Sequence, residues 1–218
     1  MNCKLVIFDL DGTLIDTLAD LGAAVNEALR SRGLPQHTLE EYRGMVGHGV
    51  RNLVRKAMPE ALRADETLLA ALLEVFLRYY TDHIDVHSRP YPGVPELLAA
   101  LNAAGVQVAV ASNKFQAGTL KLVRRTFPDI RFAAICGGRP DLPLKPDPAG
   151  VREIWAQTGA APAETVLVGD SGTDIATAAA AGIPSVAVTW GNRPKASLLA
   201  ADRIAESVAE LRGILLPE

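Results

Sequence analysis

The apolar run that begins at Leu5 stops at two acids, Asp9 and Asp11, which are separated by one residue and followed by Gly12. A run this short is no helix; it reads as a strand buried on both faces of a sheet. Side chains along a strand alternate with period two, so Asp9 and Asp11 leave it on the same side, and Gly12 lets the backbone turn sharply away. Aspartate and glycine after a strand are also ordinary turn chemistry. The motif therefore takes its meaning from what the rest of the chain places beside it.

After Thr13 the residues Leu18, Leu21, Val25, Ala28 and Leu29 recur at spacings of three and four until Gly33, with Asp16 or Thr17 as the N-cap. Residues 34–88 continue with helical patterns only, among them Leu68, Leu69, Leu72, Leu73, Phe76 and Tyr80. Pro90, Pro92 and Gly93 then mark a linker. Beyond a helix over 94–104, strands predicted at 106–111, 132–136, 165–168 and 185–189 alternate with helices at 115–126, 147–158 and 175–181, and a last helix lies near 207–215. Such alternation predicts an α/β fold, a Rossmann-like doubly wound parallel sheet carrying an inserted all-helical domain. The expected division is a catalytic core over residues 1–15 and 90–218 and a helical insertion over 16–89. A chain of 218 residues with 49% hydrophobic content suits that arrangement.

Composition removes several functions. The net charge is −3 with Lys and Arg scattered, which gives neither a nucleic-acid groove nor a membrane-binding patch. Cys3 and Cys136 are far apart and form no CxxC pair, so two reduced thiols in a cytoplasmic protein are expected. The first apolar run, cut short by Asp9, is neither a signal peptide nor a membrane span, and no later run is long enough to cross a membrane. His83 and His87 are four residues apart, but no third ligand for a zinc ion accompanies them. The stretch Trp190-Gly191-Asn192-Arg193 reads as a surface loop, from which Arg193 could reach a substrate.

Parallel sheets bind ligands at the carboxyl ends of their strands, and the polar residues gather there. Asp9 and Asp11, Ser112 and Asn113, and Asp170 each follow a predicted strand, and Lys145 lies in the loop after another. Four carboxylates, Asp9, Asp11, Asp170 and Asp174, face one lysine. Each like-charged pair about 4 Å apart costs roughly 4 kcal/mol at an effective dielectric near 20, more than Lys145 alone offsets. With oxygen ligands only, Mg²⁺ is the expected counter-ion. The set suits a phosphate group: Asp9 attacks phosphorus to form an aspartyl phosphate, and Asp11, crowded by neighbouring acids, protonates the leaving alcohol and later deprotonates water.

The run Asp9-Leu10-Asp11-Gly12-Thr13, then Ser112-Asn113, Lys145-Pro146 and Gly169-Asp170-Ser171 with Asp174, resembles the four ordered motifs of the haloacid dehalogenase superfamily of phosphatases. The resemblance implies Asp9 as nucleophile and metal ligand, the Asp11 carbonyl as a second ligand, and Asp170 and Asp174 as metal-binding acids. It also implies Ser112 and Asn113 as phosphate holders and Lys145 as a bridge between phosphate and Asp9. The insertion resembles the family's cap, hinged near residues 14–17 and 89–93. Within it, Gly47-His48-Gly49-Val50-Arg51-Asn52-Leu53-Val54 resembles the GxGxxxLV pattern of phosphoglycolate phosphatases, which implies a small anionic substrate, 2-phosphoglycolate, met by Arg51 or nearby amides. Alternatives are a pyrophosphatase, a sugar-phosphate phosphatase, or a β-phosphoglucomutase-like enzyme, which would have a Ser-Arg pair at Gly49-Val50. A receiver-like signalling domain that accepts phosphate on aspartate is the non-enzymatic alternative. A small phosphorylated metabolite is the expected partner, and monomer and homodimer both stay open.

Overall fold

The computed structural model describes residues 3–216; residues 1–2 and 217–218 of the expected core lie outside the described residues. In chain order, β1 (Leu5–Phe8) and the two-residue β2 (Ile15–Asp16) precede four helices, α1 (Leu18–Arg30), α2 (Leu39–Arg43), α3 (Val50–Ala57) and α4 (Glu66–His83). Then follow β3 (Arg89–Pro90), α5 (Val94–Ala103), β4 (Gln107–Phe115), α6 (Gln116–Thr126), β5 (Phe132–Gly138) and α7 (Ala149–Thr158). The chain closes with β6 (Thr165–Gly169), α8 (Gly172–Ala181), β7 (Ser185–Val188), β8 (Arg203–Ala205) and α9 (Val208–Leu215).

Six strands make one parallel sheet in the order β5-β4-β1-β6-β7-β8. The period-two alternation assigns each side chain to a layer. Val6 and Phe8 join Val108, Val110, Val166, Val168, Val186 and Val188 in a core shared with α5, α6 and α9. Leu5 and Ile7 point the other way and join Ala109, Ala111 and Leu167 against Val151 and Ile154 of α7 and Ala178 of α8. All four β1 side chains are fully buried, each worth about 1.5–3 kcal/mol relative to exposure. The sheet grows from β1 in both directions, so a crevice opens at the carboxyl ends of β1 and its neighbours.

Between β2 and β3 the regular elements of the insertion are all helices, and Leu21, Val25 and Leu29 of α1 share an apolar cluster with Leu69, Leu72 and Phe76 of α4. Its two connections to the core pair with each other: β2 and β3 form an antiparallel ribbon, and the Tyr91 N–H donates to the Leu14 carbonyl at 3.1 Å. Asp20, buried in α1, braces the return. Its carboxylate accepts from the His87 and Ser88 N–H groups and from the Ser88 hydroxyl, at 2.7–3.0 Å. His83 ends α4 with its ring stacked on Tyr79, while His87 lies in the turn beyond.

The structure departs from the sequence expectation most in β4, β8 and α8. β4 runs on to Phe115, and its pairing with β5 shifts register between Ala111 and Phe115, so Ser112, Asn113 and Lys114 occupy an irregular stretch that re-aims side chains. β8 is an additional edge strand of three residues whose exposed Arg203 gives no apolar signal. Helix α8 starts at Gly172, three residues before the expected 175. Cys3 is half-buried and Cys136 buried, and both are free thiols. Among the described residues no helix is long and apolar enough to cross a membrane.

Candidate active site

Asp9 leaves the sheet at the end of its central strand, its N–H held by the Val168 carbonyl at 2.9 Å. The neighbouring β6 delivers Asp170, and the first turn of α8 delivers Asp174. One oxygen from each of these three buried carboxylates lies within 4.8 Å of the others. Lys145 reaches them from the loop after β5: its Nζ donates to Asp9 Oδ1 at 2.8 Å and to Asp174 Oδ1 at 2.6 Å. The second Asp174 oxygen accepts from the Ser171 N–H at 3.1 Å and the Ser171 hydroxyl at 2.5 Å, so the start of α8 fixes its orientation. Gly169 is required beside it, since a Cβ there would lie 2.2 Å from Asp174 Cγ.

Asp11 has different surroundings from those its spacing suggests. Its Oδ1 accepts from the Thr17 hydroxyl at 2.7 Å, and both oxygens accept from Lys114 Nζ, at 3.0 and 3.1 Å. The site therefore holds two lysines against four acids. The Thr17 hydroxyl serves Asp11 rather than capping α1, where the Asp16 carboxylate accepts from the Leu18 N–H at 3.2 Å.

Ser112 is buried and its Oγ accepts from the Lys114 N–H at 3.2 Å. The Asn113 side chain braces backbone: its amide donates to the Gly47 and Lys145 carbonyls at 3.2 and 3.0 Å, and its Oδ1 accepts from the Lys145 N–H at 2.7 Å. It thus ties the insertion and the Lys145 loop to β4. Arg51 is not brought to this site. Its side chain is 58% exposed and pairs with Glu66 at the start of α4, as does Arg55. The loop after β7 is more than surface: the Asn192 N–H donates to Asp170 Oδ2 at 2.7 Å, and Trp190 Nε1 donates to the Thr13 carbonyl at 3.1 Å. From the same loop the Arg193 guanidinium donates to the Arg43 carbonyl at 2.8 Å and to the Val46 carbonyl, both in the insertion.

The model of the haloacid dehalogenase-like hydrolases matches residues 6–188, a span that includes every acid and lysine described above. This chain belongs to the haloacid dehalogenase-like hydrolases. It is 41% identical over 192 residues to a phosphoglycolate phosphatase of Mesorhizobium japonicum, covering 88% of this chain and 85% of that one. A phosphoglycolate phosphatase of Thiobacillus denitrificans is 36% identical over 211 residues, with 95% and 93% covered. A crystal structure of a predicted phosphoglycolate phosphatase from Haemophilus somnus matches with a TM-score of 0.90 at 31% identity, covering 98% of both chains.

In this hydrolase the crowding of acids shows in their protonation. Burial, followed by the Asp9 and Asp174 carboxylates, pushes Asp170 up to about 8 against the hydrogen bond from Asn192 and the charge of Lys145. Burial also pushes Asp9 up to about 7, with Lys145 opposing and Asp174 and Asp11 adding. Burial disfavours the Lys145 charge, but Asp174 and Asp9 outweigh it and hold that lysine up. Acids driven toward holding protons are those a cation would relieve, and their all-oxygen donor set fits a hard divalent ion. Over them the insertion contributes Leu21, Val46, Val50, Leu53, Phe76 and Tyr80 to the wall of a cleft that also includes Asp9, Asp11, Ser112, Lys114 and Lys145.

Sequence reasoning missed Lys114 and Tyr80. Lys114 was legible as the next residue of the Ser112-Asn113 strand end, whereas Tyr80 carried only the signal of a buried helical face.

Proposed function

We propose that this protein is a Mg²⁺-dependent phosphomonoesterase that works through an aspartyl phosphate on Asp9, with 2-phosphoglycolate as its substrate and the cytoplasm as its place of action. The observation that carries the reading is the Lys145 bridge between Asp9 and Asp174, with Asp170 alongside and Asp11 on a separate lysine. Two aspartates in different environments can take different roles.

In this reading an Asp9 oxygen attacks phosphorus and the P–O bond to the leaving alcohol breaks. Asp11 gives its proton to that alcohol oxygen, then accepts a proton from the water that attacks the phosphorus of the aspartyl phosphate, freeing inorganic phosphate and Asp9. Lys145 neutralises phosphate oxygens and keeps Asp9 aimed, Ser112 offers its hydroxyl to the phosphate, and Asn113 holds the Lys145 loop in place. Asp9, Asp170 and the Asp11 carbonyl would hold Mg²⁺, with Asp174 behind them. Bound there, the ion supplies charge for the phosphoryl oxygens.

The substrate is supported by the phosphoglycolate phosphatase relatives. The insertion side chains lining the cleft are apolar apart from Tyr80 and offer few partners for the hydroxyls of a sugar. The test is phosphate release with Mg²⁺ from 2-phosphoglycolate, sugar phosphates, nucleotides and pyrophosphate, with Asp9→Asn as the blank. A preference of at least tenfold for 2-phosphoglycolate, about 1.4 kcal/mol, is expected. Weak release from all of them removes the substrate assignment. Activity no higher than the blank removes the hydrolase mechanism.

A further inference from the structure

Lys114 has no role in the chemistry described so far, yet it is among the most constrained side chains in the molecule. Its side chain is 2% exposed, and an ammonium has three protons to donate. All three have acceptors. Two go to the oxygens of Asp11, at 3.0 and 3.1 Å, and one to the Tyr80 hydroxyl at 2.7 Å. The ammonium also lies 4.7 Å from the centre of the Tyr80 ring. Tyr80 is fully buried in α4, stacked on Phe76 at 5.2 Å and met edge-on by Phe115 at 6.2 Å. The contact thus joins a residue of β4, the proposed acid and a helix of the insertion.

We infer that Lys114 is the positioning residue for Asp11, and that Tyr80 makes this positioning depend on the docked helical insertion. The inference rests on the phosphatase reading given above. A proton donor must keep its oxygen within hydrogen-bond reach of the leaving oxygen, and small misplacements of a catalytic group cost large factors in rate. Thr17 holds one oxygen of Asp11; Lys114 holds both, and so restricts rotation of the carboxylate about its own axis. Because Lys114 is itself fixed from α4, the acid is aligned when the insertion covers the cleft. A role for Lys114 in binding an anionic leaving group would require it to surrender one of these three partners.

The experiment compares wild type, Lys114→Met and Tyr80→Phe, as full chains with Mg²⁺, on 2-phosphoglycolate and on p-nitrophenyl phosphate. An alkoxide needs a proton to leave, whereas p-nitrophenolate does not; both substrates need Asp11 as base in the second step. For Lys114→Met the expected results are a kcat on 2-phosphoglycolate lowered roughly 10- to 100-fold with KM within about twofold, and a stoichiometric burst of p-nitrophenolate that wild type does not show. Tyr80→Phe is expected to show the same pattern more weakly, about threefold in kcat. An unchanged kcat overturns the inference. So does a raised KM with kcat preserved, which would make Lys114 a substrate contact, and so does an equal loss on both substrates without a burst, which would make it structural. Should Lys114→Met show no cooperative melting, Tyr80→Phe decides alone by the same criteria. Wild-type release no greater than the Asp9→Asn blank on either substrate overturns the phosphatase reading instead.

Discussion

The Lys145 ammonium sits 2.6 Å from the Asp174 carboxylate, two buried charges held together by a turn before α7 and the first turn of α8. The same ammonium is 2.8 Å from Asp9. Replacing Lys145 with Met leaves two buried acids without their cation, a change that costs about 3–5 kcal/mol when a buried pair is broken from one side. Urea unfolding at pH 8 without metal should show a loss of that size, together with a fall in phosphatase activity of at least about 100-fold. A stability change under about 1 kcal/mol would mean that water reaches these charges.

A second prediction follows from Asp170 and Asp9, which fold with values near 8 and 7 against about 4 for a carboxylate in an unfolded chain. Between those values the folded protein binds more protons than the unfolded one, so stability falls as pH rises. Their contribution is fully present below pH about 4 and is lost as pH rises through about 8. The metal-free protein should therefore melt at a lower temperature at pH 9 than at pH 6, and Asp170→Asn should flatten that slope. Mg²⁺ should raise the melting temperature most at pH 9, where the acids are ionised and the ion has no protons to displace. Equal Mg²⁺ effects at both pH values would contradict this origin of the slope.

Asp9 and Asp170 were legible because each follows a strand directly. They come at the ends of largely apolar runs, and position along such a strand settles which edge of the sheet they reach. What stayed hidden depends on partners distant in the chain. Arg51 at a glycine-flanked helix start looked like an anion contact, but Glu66 from the next helix takes its guanidinium outward. Lys114 adjoins the motif, yet its meaning comes from Asp11, 103 residues earlier, and from Tyr80, whose spacing in α4 reports burial and nothing of its hydroxyl. The stretch over 190–193 looked like surface because only Trp190 in it is apolar; its work is done by the Asn192 N–H, the Trp190 indole N–H and a long arginine, which leave no periodic trace. β8 was missed for a related reason, a three-residue edge strand being too short to show a pattern.

Gly191 gives a steric test of the second wall of the site. A Cβ at this position would lie 2.3 Å from Asp170 Cβ and 2.4 Å from both Asp170 Oδ2 and the Gly12 carbonyl oxygen, so turning the carboxylate aside would still leave the Cβ and backbone contacts. Gly191→Ala should displace Asp170, costing roughly 1–3 kcal/mol of stability and lowering Mg²⁺ affinity at least about tenfold. Titration of Mg²⁺ against the melting temperature reads both effects. An unaltered Mg²⁺ response would show that Asp170 can shift without consequence.

Arg193 and Arg51 separate the two surfaces of the insertion. Arg193 reaches from the core loop to the Arg43 and Val46 carbonyls, beside the cleft wall, while Arg51 pairs with Glu66 within the insertion and faces solvent. Hydrogen bonds from a charged donor contribute about 1.5–3 kcal/mol each when well buried, and the contact to Arg43 is partly exposed. Arg193→Ala should therefore loosen the insertion over the cleft, raising KM about three- to tenfold and speeding proteolysis in the segment over 31–49. Arg51→Ala removes an exposed ion pair worth at most about 1 kcal/mol and should leave kcat and KM within about twofold of wild type. Steady-state kinetics of the pair decides between them: a large KM effect from Arg51 and none from Arg193 would return the anion contact to the start of α3 and leave the insertion held by its apolar contacts alone.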